Sequence, residues 1–198
     1  MAVISGRSLS DLEEKMPIAG IRLVGNHGLE MQGVKRKRLT DEKNICQLWI
    51  KKIRPHIEAL QGCEIEDKGY SLALHYRKSR KKKEARESLL NVISGWSSSP
   101  RVIFGKSVIN LLPIGAPHKG LAMMELMQKN SAKAGFYIGD DDTDEDVFCL
   151  PNNEILTVRV GRKLNSHALF YIKSQAEVTL LLSELLQLCF KTYRLPER

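Results

Sequence analysis

The sequence predicts an α/β fold with a parallel core sheet that is interrupted by a second α/β module. Near the N-terminus, an apolar run at 2–4, a helical pattern at 9–14 and an apolar run at 21–24 give the order strand, helix, strand. Ser8 precedes the helical pattern and is expected to cap it. From residue 101, apolar runs again alternate with helical patterns. A length of 198 residues suits one core with an inserted module.

The composition is that of a globular chain with a positive charge. Hydrophobic residues make up 42% and charged residues 27%, and the formal net charge is +8. This excess favours anionic partners such as phosphorylated metabolites, nucleic acids or acidic lipids. The two basic runs, at 35–38 and 80–83, carry no interleaved aromatic residues. We therefore interpret them as solvated surface and predict no nucleic-acid partner.

The cysteines and the apolar segments exclude further classes of protein. The four cysteines contain no C-x-x-C pair, so neither a zinc site nor a disulfide framework is indicated. No apolar stretch reaches the ~18 residues of a membrane helix, and the N-terminus lacks the pattern of a signal peptide. We expect reduced thiols, no membrane partner and a cytoplasmic location.

A polar sheet face is predicted in the middle of the chain. An amphipathic helix spans about Asp41 to Leu60, and two alternating strands follow at 63–68 and 70–77. Leu72, Leu74 and Tyr76 belong to the apolar side of the second strand. The opposite face of the sheet carries Glu66, Lys68, Ser71, His75 and Arg77. Such a face suits a lid better than a core.

The second half of the chain ends a buried strand in an acidic block. Strands are predicted at 102–104, 108–112, 136–138, 156–160 and 169–172, and helices at 119–130 and 175–188. Six carboxylates occupy the seven positions 140–146, directly after the strand at 136–138. Such charges repel one another unless a cation neutralises them. At the carboxyl end of a parallel strand, oxygen ligands of this kind suit Mg²⁺.

A second interpretation treats the acidic block as the start of a helix. Thr143 would then cap the helix, and the helix dipole would favour Glu145 and Asp146. The second interpretation does not explain the carboxylates at 140–142, so we favour a metal site.

Groups that can bind phosphate occur at two other strand ends. Ser5 offers a hydroxyl and Gly6 an N–H, while Lys119 opens a helix after the 113–117 loop and offers a cation. Each signal alone is also typical of an ordinary turn or a surface helix.

Taken in order, these motifs resemble those of haloacid dehalogenase-type phosphatases: Ser5-Gly6-Arg7, Lys119-Gly120 and Gly139-Asp140-Asp141-x-Thr143-Asp144-Glu145-Asp146. The segments between them are similar to the trehalose-phosphatase pattern: Gly25-Asn26-His27-Gly28-x-Glu30, Glu66-x-Lys68-x-x-Ser71-x-x-x-His75-Tyr76-Arg77 and Gly105-Lys106-x-Val108. The resemblance spans nearly the whole chain.

The resemblance implies a Rossmann-like core, at 1–30 and 106–198, with an α/β cap domain at 31–105. It implies Mg²⁺-dependent hydrolysis of trehalose 6-phosphate to trehalose and phosphate. Ser5 and Lys119 would be catalytic. The metal ligands would be Asp140, Asp141 and Asp144. The substrate would be bound by Gly6, Arg7, His27, Glu66, Lys68, His75 and Arg77.

The chain departs from the family pattern in two places. The family's attacking Asp and its acid/base Asp belong to an Asp-x-Asp-Gly-Thr motif on the first core strand, and the 198 residues do not contain it. We therefore expect that the first core strand is missing, and that the partner is a missing N-terminal segment or a fused synthase domain.

The second departure lies at Asn110 and Leu112, where the family usually has an acidic residue and an arginine. Two alternatives stay open for the function of the chain. It could be a catalytically inactive sugar-phosphate-binding or regulatory paralogue, or a phosphatase for another sugar phosphate.

Overall fold

A computed structural model describes residues 1–34, 39–151 and 154–193. The basic run predicted at 35–38 lies outside the described residues. The chain divides into two compact units, Met1–Leu126 and Met127–Arg198.

The first unit begins with the predicted order strand, helix, strand. Strands β1 and β2 are parallel, with Val3 opposite Leu23, and β3 returns antiparallel to β2. The Ser8 hydroxyl accepts a hydrogen bond from the Asp11 N–H at 3.3 Å, so the predicted helix cap is confirmed. The elements are β1 (Ala2–Ile4), α1 (Leu9–Lys15), β2 (Arg22–Gly25) and β3 (Glu30–Met31).

A four-stranded antiparallel sheet with two helices follows in the same unit. Its strand order is β4-β5-β7-β6. The helix that the apolar spacing predicts at about 41–60 is present as α2. The elements are α2 (Leu39–Glu58), β4 (Glu64–Asp67), β5 (Leu72–His75), α3 (Lys82–Ser94), β6 (Arg101–Gly105) and β7 (Val108–Leu112).

The core of this sheet lies against α2 and α3. The rings of Trp49 and Trp96 stack with their centroids 6.0 Å apart, and the Trp49 Nε1–H donates to the Ser98 carbonyl at 3.0 Å. Leu72 and Leu74 are fully buried in the same cluster, as their alternation predicts. Ser71, just before β5, and Ala73, on the opposite face of the strand, are buried as well. The accessible residues of the predicted polar face are therefore Glu66, His75 and Arg77.

Strand β7 belongs to the antiparallel sheet. The predicted division assigned residues 106–198 to the parallel core, but Ile109 pairs with Leu74 of β5 and with Phe104 of β6. The hairpin of β6 and β7 thus crosses the predicted boundary. An apolar run identifies a strand, whereas its hydrogen-bond partner depends on distant residues. The division into 1–30, 31–105 and 106–198 stays a prediction.

The second unit contains three parallel strands in the order β10-β9-β8. These strands and the parallel pair of the first unit confirm the predicted α/β fold class. The remaining elements of the chain are α4 (Lys119–Lys129), β8 (Gly135–Gly139), a 3₁₀ turn (Asp142–Asp144), α5 (Glu145–Phe148), β9 (Ile155–Val160), β10 (Phe170–Ile172) and α6 (Ala176–Tyr193). In the part of the chain that the structure describes, none of the helices combines the length and apolar character needed to cross a membrane.

Candidate functional site

Two turns lie side by side at the carboxyl ends of β1 and β2. We name residues 5–7 the Gly6 turn and residues 26–28 the His27 turn. The His27 N–H donates to the Ser5 carbonyl at 2.8 Å, and the Asn26 N–H donates to the Arg7 carbonyl at 2.6 Å. The carboxyl ends of parallel strands are where ligands bind in folds of this kind.

The contact of the two turns requires glycine at position 6. A Cβ atom added to Gly6 would lie only 2.4 Å from Cε1 of His27, whose ring is almost fully buried. Gly28, with φ of 112°, lies against the start of α4, because a Cβ atom there would be 2.6 Å from the His118 carbonyl oxygen. The structure thus gathers three predicted site segments, the Gly6 turn, His27 and the start of the helix that Lys119 opens.

The buried Asn26 side chain joins the His27 turn to the antiparallel sheet. Its amide nitrogen donates to a Glu30 carboxylate oxygen and, at 3.0 Å, to the Lys68 carbonyl. Its amide oxygen accepts from the Ser71 hydroxyl at 2.5 Å. The same Glu30 oxygen accepts from the Leu9 N–H at 2.9 Å. Asn26 therefore connects β2, the start of α1 and the turn that joins β4 to β5.

The Lys68 side chain points back to the Gly6 turn. Its ammonium donates to the Gly6 carbonyl at 3.0 Å and approaches the amide oxygen of Asn110 at 3.5 Å. Burial lowers the pKa of Lys68, and the neighbouring Arg7 charge adds to this, whereas Glu66 opposes it. Among the described residues, no carboxylate lies within ion-pair distance of the ammonium. Because Asn110 is neutral, the Lys68 charge remains available for an anionic ligand.

Three of the other predicted substrate residues, Glu66, His75 and Arg77, share no hydrogen bond with these turns in the described part of the chain. His75 Nε2 and Glu66 Oε2 are 2.7 Å apart on the half-exposed end of β5, and Arg77 is exposed beyond that strand. Arg7 forms an ion pair with Asp11 at 2.7 Å. Within the described part of the chain, no hydrogen bond joins Glu66, His75 or Arg77 to the Gly6 turn. The structure therefore does not bring together the whole predicted set.

A polar cavity of about 290 Å³ opens beside the Asn26 network. Lys68 is the one predicted substrate residue in its lining, so the cavity overlaps the predicted site only in part. The lining residues are Ser8, Ser10, Glu30, Lys43, Asp67, Lys68, Gly69 and Tyr70.

In the second unit, Asp144 turns inward from the acidic block. One carboxylate oxygen accepts from the Tyr137 hydroxyl at 2.6 Å, and the other accepts from the Asp141 N–H at 2.8 Å. Burial, and then the Asp144 charge, raise the pKa of Tyr137, so its hydroxyl stays protonated and donates. The capping residue of the 3₁₀ turn is Asp141. The alternative that Thr143 caps a helix is thus wrong, because Asp141 precedes it in extended conformation.

Cations of the protein offset part of the repulsion within the acidic block. The buried Arg159 guanidinium donates to the Asp140 carbonyl at 2.9 Å and to a Glu145 carboxylate oxygen at 3.0 Å. Lys163 pairs with Asp142. Although burial alone would raise the pKa of Glu145, hydrogen bonds from His167 and Ser166 and the Arg159 charge lower it. The repulsion therefore does not require a metal at every carboxylate.

The donors that remain for a metal are the exposed carboxylates of Asp140 and Asp141. The Asp140 carboxylate has no partner among the described residues, and such oxygen donors fit the preference of Mg²⁺. The carboxylates of Asp140, Asp141 and Asp144 do not form a group of ligand atoms within 4.8 Å of one another in the described chain. The three-residue metal set therefore stays a prediction.

Several residues that organise the two units were not among the predicted site residues. Some carried a signal in the sequence. Arg159 interrupts the otherwise uncharged strand β9 soon after an acidic block, which indicates an ion pair. Ser71, Asn110 and Tyr137 lie within strand patterns, and their spacing does not reveal their partners. The missed residues are Asn26, Glu30, Ser71, Asn110, Tyr137 and Arg159.

Parallel strands, a glycine turn at a strand end and an acidic loop after another strand define an α/β protein of the class that binds ligands at strand ends. The chain belongs to the trehalose-phosphatase family, whose sequence model matches residues 1–171.

Relatives that are named trehalose-phosphate phosphatases agree with this family. The chain is 27% identical over 192 residues to the trehalose-phosphate phosphatase of Mycobacterium ulcerans (strain Agy99), which covers 90% of this chain and 49% of the relative. The chain thus spans about half the length of the curated relatives that it matches first.

Two solved structures are similar in fold. The C-terminal domain of the Candida albicans trehalose-6-phosphate phosphatase has a TM-score of 0.75 at 22% identity, with 93% of this chain and 77% of that chain covered. A trehalose-6-phosphate phosphatase related protein has a TM-score of 0.74 at 21% identity, with 96% and 82% covered.

Replacing Gly6 by alanine should lower the free energy of unfolding by about 1–3 kcal/mol, because the new methyl group meets the His27 ring. Urea denaturation measures the change. Gly95→Ala is the matched control, since its Cβ atom would meet the Val92 carbonyl oxygen at an ordinary 3.6 Å. The loss should shrink when His27→Ala is combined with Gly6→Ala. An equal loss in both backgrounds would show that the close contact is not the cause.

Tyr137→Phe should lower the free energy of unfolding by about 1–3 kcal/mol, because the buried Asp144 carboxylate loses a hydroxyl donor. Thermal and urea denaturation measure it. Tyr171→Phe, at a side chain that is half exposed, should change the value by no more than about 0.5 kcal/mol. Equal values for the two variants would contradict an inward-facing Asp144.

Proposed function

We propose that this chain supplies the substrate-binding and magnesium-binding parts of a phosphomonoesterase that converts trehalose 6-phosphate to trehalose and phosphate. The observation that carries the proposal is the contact of the Gly6 turn with His27 and with Lys68. Hydroxyl, N–H and ammonium groups thereby meet at the ends of two parallel strands. Family membership supports the choice of a sugar phosphate as substrate.

The phosphate would be bound by donors of the Gly6 turn. The Ser5 oxygen accepts from the Arg7 N–H at 3.2 Å, which leaves the hydroxyl proton for a phosphate oxygen. The Gly6 N–H has no acceptor among the described residues. Lys119, the first residue of α4, would add a positive charge that offsets the charge of the phosphoryl group.

The sugar would be bound by polar groups of the antiparallel sheet. Glu66 and His75 form a pair that leaves a carboxylate oxygen and the second ring nitrogen for hydroxyl groups, and Arg77 adds donors. Lys68 would contact the phosphorylated end of the sugar, because its ammonium already donates to the Gly6 carbonyl. A charged ammonium favours a phosphorylated sugar over the free sugar.

Magnesium would be held in the second unit by Asp140 and Asp141, with Asp144 orienting Asp141 through its N–H. When bound, Mg²⁺ supplies positive charge for phosphoryl-transfer chemistry. Arg159 would keep the backbone of the loop in place, since it donates to the carbonyls of Asp140 and Asp141 at 2.9 and 3.3 Å.

The chain's own residues bind and orient the substrate and hold positive charge near the phosphate. The 198 residues contain no Asp-x-Asp-Gly-Thr motif, so the proposal assigns them no attacking carboxylate. Asn110 and Leu112, which stand where the family usually has an acidic residue and an arginine, favour a second candidate function, a module that binds the sugar phosphate without hydrolysing it. A phosphatase for another sugar phosphate would use the same phosphate donors with different contacts to the sugar.

Calorimetry should detect binding of trehalose 6-phosphate and much weaker binding of trehalose. Lys68→Met should weaken binding of the phosphorylated sugar by about tenfold or more, because a charge-assisted contact of roughly 1.5–3 kcal/mol is lost. Lys52→Met, at an exposed position of α2, is the matched control and should leave the affinity unchanged. Equal affinities for trehalose and its phosphate would contradict the proposal.

A phosphate-release assay then separates the two candidate functions. Release that requires Mg²⁺ and is lost in Asp140→Asn would assign hydrolysis to the chain. Binding without release favours the non-hydrolysing module.

A further inference from the structure

The second unit contains a cluster of three different metal-ligating side chains. A carboxylate oxygen of Glu145, the sulfur of Cys149 and a ring nitrogen of His167 all lie within 4.8 Å of one another. It is the one group of three such side chains that meets this distance in the part of the chain that the structure describes. None of the three belongs to the predicted magnesium ligands.

Helix α5 places two members of the cluster on the same side. Glu145 opens the helix and Cys149 directly follows its last residue. The Cys149 N–H donates to the Glu145 carbonyl at 2.9 Å, which closes one helical turn. Residues four apart on a helix are neighbours on its surface, so the thiol and the carboxylate lie next to each other.

The third member, His167, lies on the loop before β10 and is hydrogen-bonded to Glu145. The His167 N–H donates to Glu145 Oε2 at 2.9 Å, and Nδ1 of its ring lies 3.5 Å from the same oxygen. Glu145 and His167 are far apart in the sequence, but this backbone hydrogen bond fixes the position of the His167 backbone and so keeps its imidazole beside Glu145. Both Cys149 and His167 are exposed, so a metal ion can reach them from solvent.

The carboxylate of Glu145 is oriented before any metal binds. Arg159 donates to Oε1 at 3.0 Å, while Oε2 faces His167. The Arg159 side chain is buried and therefore fixed. Groups that hold a ligating carboxylate from behind set its direction and increase metal affinity.

We propose that Glu145, Cys149 and His167 form a zinc-binding site with one coordination position open to water. Sulfur, nitrogen and oxygen are the donors that Zn²⁺ uses in proteins, whereas Mg²⁺ prefers oxygen alone. Zinc bond lengths of about 2.0–2.3 Å in a tetrahedron place the ligand atoms roughly 3.5 Å apart. Side-chain rotations of Cys149 and His167 supply the contraction from the present spacing. The Cys149 thiol releases its proton to solvent when it binds the ion.

Titration of the metal-free chain with Zn²⁺, in a large excess of Mg²⁺, tests the site. The excess Mg²⁺ occupies sites made of oxygen donors alone, so these sites do not contribute to the measured zinc binding. Calorimetry should give one zinc ion per chain, and Cys149→Ser or His167→Ala should weaken binding by about 100-fold or more, beyond the roughly 10–100-fold effect of an outer-shell partner. The matched controls Cys63→Ser and His56→Ala should bind as the wild type does.

Co²⁺ provides a second readout, because the spectrum of the wild-type complex alone tests for a thiolate ligand. A wild-type complex should have a thiolate-to-cobalt charge-transfer band and the visible bands of a tetrahedral ion. The band should vanish in Cys149→Ser and persist in Cys63→Ser. Unchanged zinc affinity in both Cys149→Ser and His167→Ala, absence of zinc binding, or a cobalt spectrum without a thiolate band would overturn the proposal.

Discussion

The organisation of the first unit depends on the hydrogen bonds of one buried amide. The Asn26 side chain is hydrogen-bonded to Glu30, to the Lys68 carbonyl and to the Ser71 hydroxyl. It therefore connects β3 with the turn between β4 and β5. Leaving this buried amide without its partners would cost about 1–3 kcal/mol. Because Lys68 is held at its backbone, its ammonium meets the Gly6 carbonyl. Asn26 therefore helps to position two candidate phosphate-binding groups. Its side chain holds the backbone of Lys68, and its N–H holds the Gly6 turn at the Arg7 carbonyl.

A different constraint, charge compensation, organises the second unit. Arg159 contacts the backbone of Asp140 and the side chain of Glu145, and it is buried between them. This cation holds the acidic loop in place and leaves the Asp140 carboxylate exposed. It also directs one oxygen of Glu145 toward His167. The proposed oxygen-only site and the proposed zinc site therefore depend on the same guanidinium.

Local patterns predicted the elements, whereas long-range contacts could not be predicted. Apolar spacing was sufficient to predict α2, and Ser8 was sufficient to predict the start of α1, because both features are determined by neighbouring residues. The same alternation could not tell that β7 pairs with β5, since pairing depends on residues far along the chain. The acidic block indicated a metal site. Its sequence did not reveal that Tyr137 binds the Asp144 carboxylate and Arg159 binds the Glu145 carboxylate. His167 joined Glu145 without any signal in their spacing.

Asn26 couples the turn after β2 to the antiparallel sheet. A double-mutant cycle of Asn26→Ala and Ser71→Ala, measured by urea denaturation, tests it most directly, because the two side chains share one buried hydrogen bond of 2.5 Å. The coupling free energy should be about 1 kcal/mol or more. Losses that add to within about 0.5 kcal/mol would contradict it.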